Sequence, residues 1–206
     1  SIMMQDLPFA PSCENNKQPI LEVLRRHFLA DGADRREVLE IASGTGQHAE
    51  YFALHLPHLH WQCTELPDNL EGLDRRLQKA ELPNLPPAQV LDVMQEWSFA
   101  PPDYVFTANS LHIMPIEGVI QCFAHVGTLL KTGGRLAVYG PFKYKGEFTT
   151  PSNAQFDLWL KARDPRSGVR DFEYVNRCAE EAGLDFLEDN AMPANNQMLI
   201  WQKHAS

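Results

Sequence analysis

Apolar residues along this chain recur with two different periods, and the switching between them sets the expected architecture. Val38-Leu39-Glu40-Ile41 is a short β-like run after a polar turn, and Ala49, Phe52, Ala53 and Leu56 then recur on one face of a helix. The succession repeats. A strand is expected near His60–Glu65, then a helix with Leu70, Leu73, Leu77 and Ala80 on one face, then strands around Gln89–Val93 and Tyr104–Ala108. A helix over Glu117–Leu130 carries Val119, Phe123, Val126 and Leu130, and Gly133-Gly134 ends it before a fifth strand, Arg135–Tyr139. Alternating strands and helices predict an α/β fold, a parallel sheet covered on both faces.

Beyond Gly140 the pattern changes. A polar loop leads to Phe156, Trp159 and Leu160 on a helix, then to a helix over Asp171–Ala182 that looks capped by Asp171 and stopped by Gly183. Two β-like runs, Phe186–Glu188 and Met198–Trp201, read as a C-terminal antiparallel hairpin. Near the start, Pro19–Leu29 puts Ile20, Leu24 and Phe28 on one helical face, while Pro11–Lys17 is polar and shows no period. The expected organisation is one domain over 1–206: a leader and helix to residue 30, a ligand-binding core over 36–140, and substrate-side helices and strands over 141–206.

Charge and composition narrow the function. A formal charge of −9, with basic residues scattered except for short pairs, argues against a surface that tracks nucleic-acid phosphates. No apolar run exceeds four residues, so neither a membrane span nor the apolar segment of a secretory signal is present, and a cytoplasmic protein is expected. Cys13, Cys63, Cys122 and Cys178 stand far apart and read as reduced thiols. His55, His58 and His60 flank Pro57 and read as solvated loop histidines rather than metal ligands, so no metal is expected.

The most informative segment is Glu40-Ile41-Ala42-Ser43-Gly44-Thr45-Gly46-Gln47-His48-Ala49, a strand running into a Gly-x-Gly turn and a helix. Glycines there let a ligand approach the backbone closely, at a strand end where α/β sheets bind ligands. The segment also satisfies the dinucleotide pattern Gly-x-Gly-x-x-Gly/Ala, and Glu65 follows Gly46 by 19 residues, as a ribose-binding acid would. Three further features favour S-adenosylmethionine over a dinucleotide. Glu40 precedes the first glycine by four residues, Asp92 ends the third strand and Asn109 ends the fourth, so polar side chains occupy successive strand ends. A carboxylate at the second strand end suits both ribose hydroxyls, and Asp92 with the Val93 backbone suits an adenine edge. Taken singly, each such acid is equally a cap or turn former.

On these residues the chain resembles the class I S-adenosylmethionine-dependent methyltransferases. It is more closely similar to a small methyltransferase-like family of unknown function, from about Pro11 to Lys203. Glu14–Leu21, Leu39–His48, Phe106–Ile113, Tyr139–Phe142, Ser152–Asp157, Arg163–Pro165, Gly168–Asp171 and Met192–Asn196 carry that likeness. Asn15 stands where the family usually has Arg, and Glu65 where it usually has Asp. The resemblance implies a Rossmann-like seven-stranded class I methyltransferase fold with S-adenosylmethionine as cofactor. It implies Asn16, Glu40, Ser43, Gly44, Gly46, His48, Glu65, Asp92, Val93 and Asn109 around that cofactor.

The implied reaction is methyl transfer by in-line displacement to a small polar acceptor, with a general base only where the acceptor must lose a proton. Acceptor-side candidates are the polar residues of the matching stretches beyond strand four. His112, Asp157 and Tyr139 are taken as catalytic, and Asn153, Arg163, Arg170, Asn195 and Asn196 as substrate-binding. His112 is favoured as base because imidazole titrates near neutrality, and Arg163 and Arg170 invite an anionic acceptor. Bland roles compete: His112 as a helix cap, Asp157 and Arg163 as a surface pair, Asn195-Asn196 as a turn between the last strands. An NAD-dependent oxidoreductase and a non-catalytic S-adenosylmethionine-binding module remain the alternative functions.

Overall fold

The computed structural model describes residues 7–30 and 34–204, so the ends of the expected leader fall outside the described residues. Helix α1 (Pro11–His27) leads to β1 (Arg36–Ile41) and α2 (Gln47–His55), then to β2 (Leu59–Gln62), β3 (Thr64–Glu65), α3 (Pro67–Ala80) and β4 (Gln89–Val90). Next come β5 (Tyr104–Ala108), α4 (Ile116–Leu129), β6 (Arg135–Gly140), β7 (Phe142–Tyr144) and β8 (Glu147–Phe148). The chain closes with α5 (Pro151–Arg163), β9 (Arg170–Asp171), α6 (Phe172–Glu181), β10 (Leu184–Met192) and β11 (Asn196–Lys203).

Six strands form the main sheet in the order β10-β11-β6-β5-β1-β2. β2, β1, β5 and β6 run parallel, while β11 lies antiparallel to β6 and β10 antiparallel to β11. The expected mixed sheet with a C-terminal hairpin is therefore present. One expected strand, His60–Glu65, is broken at Cys63, and the expected Gln89–Val93 shortens to two residues paired with Thr64–Glu65. Side chains cause the break. The Thr64 amide donates to Ser43 Oγ at 3.0 Å and the Thr64 hydroxyl to the Glu40 carbonyl at 2.6 Å, in place of a β1–β2 ladder.

Alternation along the buried strands builds two apolar layers, as successive side chains point to opposite faces. Val38, Phe106, Ala137 and Ile200 join α1, α2 and α3 on one face; Leu39, Val105, Leu136 and Trp201 join α4 and α6 on the other. Helix α1 begins eight residues before the apolar period does. Its first half is polar because Ser12, Asn15 and Asn16 face a cavity instead of the core. Asp171 occupies the N-cap position of α6 but makes no capping hydrogen bond; its carboxylate lies 3.8 Å from Lys143 Nζ. His58 and His60, expected in solvent, bond the Phe28 carbonyl at 2.9 Å and Glu37 at 2.8 Å. Among the described residues no helix is long and apolar enough to cross a membrane.

Candidate functional site

The sheet order reverses at β1, which has β2 on one side and β5 on the other, and the loops after its parallel neighbours leave from the same edge. Two cavities of about 630 and 680 Å³ open along that edge. They meet at Ser12 of α1 and Asn109 after β5, which line both. Ala42 and Asn109 leave β1 and β5 with φ of 56° each, a left-handed geometry that is uncommon outside glycine and clusters at functional sites.

The smaller cavity takes Glu40, Ser43, Gly44, His48, Glu65, Asp92, Val93 and Asn109 from the expected cofactor set. The two glycines of the turn do different work. At Gly44, with φ +59°, nothing lies within 4 Å of where a Cβ would stand, so the backbone faces open space. At Gly46 a Cβ would stand 2.7 Å from Leu73 Cδ1, so this glycine lets α2 pack on α3 and does not line the cavity. Gly46 is thus a packing position, against the expectation of cofactor contact.

Glu65 anchors the loop. Its Oε2 accepts the Gly44 amide and its Oε1 the Leu66 amide, each at 2.8 Å. Asp92 accepts the Met94 amide at 2.9 Å. Glu40 is 2% exposed and accepts the Trp61 indole N–H at 2.9 Å. Burial pushes its carboxyl up to about 7, the Glu65 charge adds to this, and hydrogen bonds from Trp61, Ser43 and Cys63 oppose it. Among the described residues three carboxyl groups line this cavity and no lysine or arginine does.

Asn16 belongs with the larger cavity instead of the smaller one. Its Oδ1 lies 2.6 Å from His48 Nε2, and its side chain also hydrogen-bonds the Tyr139 hydroxyl. Burial holds the His48 imidazolium down at about 4, so neutral His48 donates its Nε2–H to Asn16 and the Asn16 amide N–H turns to Tyr139. Asn196 Nδ2 donates to the same hydroxyl at 3.1 Å. Burial raises the Tyr139 pKa and outweighs the two amide donors on its oxygen, which lower it, so Tyr139 keeps its proton and is a hydrogen-bond donor, not a base.

The larger cavity also takes His112, Asn153, Asn195 and Asn196 from the expected acceptor set. His112 stands 4% exposed with its ring edge-on to Phe156 at 5.4 Å. Burial first, and the Arg170 charge second, bring its pKa down to about 4, so it is neutral across ordinary pH. Asn195 combines both of its expected roles: it closes the turn between β10 and β11 with φ 60°, and it lines the cavity.

Three expected residues do not reach either cavity. Asp157 accepts the Val169 amide at 2.9 Å with one oxygen and pairs with Lys161 at 3.0 Å through the other, pinning the segment after α5. Arg170 donates to the carbonyls of Leu111, Met114 and Arg166 at 2.7–2.9 Å. Arg163 lies over the Trp159 ring at 4.5 Å on the outside of α5. Sequence reasoning placed Phe156 and Trp159 on a helix and missed them as site residues; Trp159 is 53% exposed. It also missed Ser12 and Asn15 on α1, whose uncharged polar stripe at i, i+3, i+4 with Asn16 was the available signal.

Solved structures share this architecture. The O-methyltransferase family 2 protein from Planctomyces limnophilus DSM 3776, in complex with apigenin, has a TM-score of 0.80 at 18% identity over 92% of this chain and 56% of its own. An O-methyltransferase family protein from Burkholderia thailandensis gives 0.76 at 18% over 92% and 57%. Human N-acetylserotonin methyltransferase, in complex with SAM, gives 0.72 at 15% over 92% and 55%. The chain spans just over half the length of these proteins, and the fold they share with it is that of the class I methyltransferases. The family DUF938, described as a protein of unknown function, matches residues 7–203, and the chain belongs to that family.

Proposed function

We propose that this chain is an S-adenosylmethionine-dependent methyltransferase, with the methyl donor in the smaller cavity and a small acceptor in the larger one. The observation that carries this reading is the charge of the smaller cavity: among the described residues Glu40, Glu65 and Asp92 line it, with no lysine or arginine. Such a lining attracts a sulfonium and repels the diphosphate of a dinucleotide, which would sit among carboxylates without a cationic partner. It therefore favours methyl transfer over the oxidoreductase alternative.

The residues fit the donor. Each Glu65 oxygen takes one backbone N–H and retains a lone pair for a ribose hydroxyl. The open backbone at Gly44 admits a ligand that any side chain there would displace. Asp92 and the Val93 backbone suit an adenine edge, and Glu40 supplies a negative charge at the cavity floor. When bound, S-adenosylmethionine supplies a methyl group on a cationic sulfur, open to in-line displacement.

What remains for the protein is orientation, exclusion of water and the fate of one proton. Neutral His112 is placed to take that proton from an acceptor hydroxyl, since among the described residues neither ring nitrogen has a hydrogen-bond partner. Tyr139 lines the larger cavity with its oxygen accepting from Asn196, so its hydroxyl proton is the one it would offer to an acceptor. Asp157 acts at one remove, holding the segment from which Gly168 bonds the His112 carbonyl at 3.0 Å.

Calorimetry with S-adenosylmethionine, S-adenosylhomocysteine and NAD tests the proposal, followed by a radiolabelled-methyl screen against metabolite pools. Binding of the two sulfur compounds with transfer of label supports it. Tight NAD binding without S-adenosylmethionine binding overturns it. Cofactor binding that leaves every pool unlabelled returns the chain to a binding module.

A further inference from the structure

We infer that the larger cavity selects an uncharged, flat ring compound that presents several O–H or N–H donors, and excludes ionised acceptors. The identity of that compound as methyl acceptor rests on the function proposed above; its recognition does not.

The first ground is the absence of charge. Over a fifth of the chain is Asp, Glu, Lys or Arg, yet among the described residues none of these lines the larger cavity. The groups that could have met an anion are turned elsewhere: Arg170 is bound to three backbone carbonyls and Arg163 lies outside on Trp159. A carboxylate, phosphate or ammonium entering here would lose hydration and find no counter-charge, a large cost for an ion. An uncharged molecule loses little.

The second ground is the direction of the free hydrogen-bonding groups. Asn153 Nδ2 donates to Thr149 Oγ1 and to the Asn195 carbonyl, both at 3.1 Å. Asn195 Nδ2 donates to Ser152 Oγ at 3.3 Å, and Asn196 Nδ2 to Tyr139 and to the Pro193 carbonyl at 3.1 Å each. The amide nitrogens thus face protein, which leaves the three amide oxygens as acceptors without a protein donor. Neither Asn153 nor Asn196 has a sealed, partnerless oxygen, and Asn195 is an exposed residue, so all three side chains are open to a ligand. One wall of the cavity therefore asks for donors, and the Tyr139 hydroxyl opposes it with one donor of its own.

The third ground is shape. Phe156 and Trp159 lie nearly parallel, 15° apart with ring centroids at 5.8 Å, and both line the cavity. Two parallel rings at the mouth of a cavity lined by uncharged described residues favour a flat ring laid along them.

The test titrates 2,7-dihydroxynaphthalene and 7-hydroxy-2-naphthoate, the same ring system with one hydroxyl exchanged for a carboxylate, into the full chain by calorimetry. The dihydroxy compound is expected to bind at least tenfold more tightly. Trp159→Ala, at an exposed position, and Asn195→Gly, which retains the left-handed backbone, are each expected to weaken it at least fivefold. S-adenosylhomocysteine is titrated in parallel and should bind both variants as it binds the parent. Equal or tighter binding of the carboxylate, absence of binding by either ring compound at millimolar concentration, or indifference to both variants overturns the inference. Ring discrimination without any S-adenosylhomocysteine binding supports the inference and overturns the methyl-donor reading instead.

Discussion

Replacing Glu40 by Gln separates stability from function in this fold. Glu40 is buried under the smaller cavity with the Trp61 indole on one oxygen, and its carboxyl titrates at about 7 instead of 4.5. The folded chain therefore keeps the proton up to about pH 7, while the unfolded chain releases it near 4.5. The sign follows from that order: stability from this group is full below pH 4.5 and is lost as pH rises through 7. At roughly 1.4 kcal/mol per pH unit, the empty protein at pH 8 is less stable by about 3 kcal/mol than it would be with a carboxyl that could not ionise.

Gln has nearly the same shape, can still accept the Trp61 N–H, and never ionises. Urea unfolding of the empty protein should therefore show Glu40→Gln equal to the parent at pH 4.5 and more stable at pH 8, by up to about 3 kcal/mol. The same variant should lose affinity for S-adenosylmethionine at pH 8 by at least about tenfold, the scale of one lost charged hydrogen bond, and lose less for the uncharged-sulfur product. In the parent, S-adenosylmethionine affinity should fall as pH drops below about 7, because binding a cation must then first remove the Glu40 proton. A variant less stable than the parent at pH 8, with unchanged cofactor affinity, would refute both the charge state and the role.

Glu65→Ala should weaken S-adenosylmethionine by about 1.5–3 kcal/mol and loosen the Gly44 loop, measured by calorimetry; an unchanged dissociation constant removes Glu65 from the site. Gly46→Ala should destabilise the fold by about 1–3 kcal/mol through the Leu73 contact in a thermal melt, whereas Gly44→Ala should weaken cofactor binding more than it lowers the melting temperature. His112→Ala should depress turnover by about 10²–10⁴ with S-adenosylhomocysteine affinity unchanged, and normal turnover with an identified acceptor rejects it as base.

The strand and helix order was legible because core-facing positions carry strong periods; Val38 and Leu39 already divide between the two apolar layers. The gathering of Glu40, Gly44, Glu65 and Asp92 at successive strand ends was legible too, and one cavity collects all four. Gly46 misled because a glycine needed for helix packing and one needed for ligand approach look alike in a Gly-x-Gly motif. The acceptor side was poorly legible for a different reason. Asp157, Arg163 and Arg170 sit in motif-like stretches, but whether a guanidinium meets a ligand or three carbonyls depends on loop closure, which has no sequence period. The polar start of α1 hid a helix because its exposed face serves a cavity, so it lacks the apolar stripe that announces helices elsewhere.

The division of charge between the two cavities bears on the direction of the proposed reaction. On the proposed reading, loss of the positive charge from the donor sulfur would leave a product without the attraction that Glu40, Glu65 and Asp92 offer the donor. Donor would then be held more tightly than product, which would favour exchange after each turnover. Burial first, and the Arg170 charge second, hold the His112 pKa at about 4, so on the proposed reading a proton taken up there would pass readily to water. A site that bound ions in both cavities would retain its products; one with a single anionic cavity releases them. Introducing a carboxylate by Asn153→Asp should therefore weaken the neutral acceptor and raise the pKa of His112, displacing the acid limb of the pH–rate profile upward, and a profile that does not move would place His112 outside the proton's path.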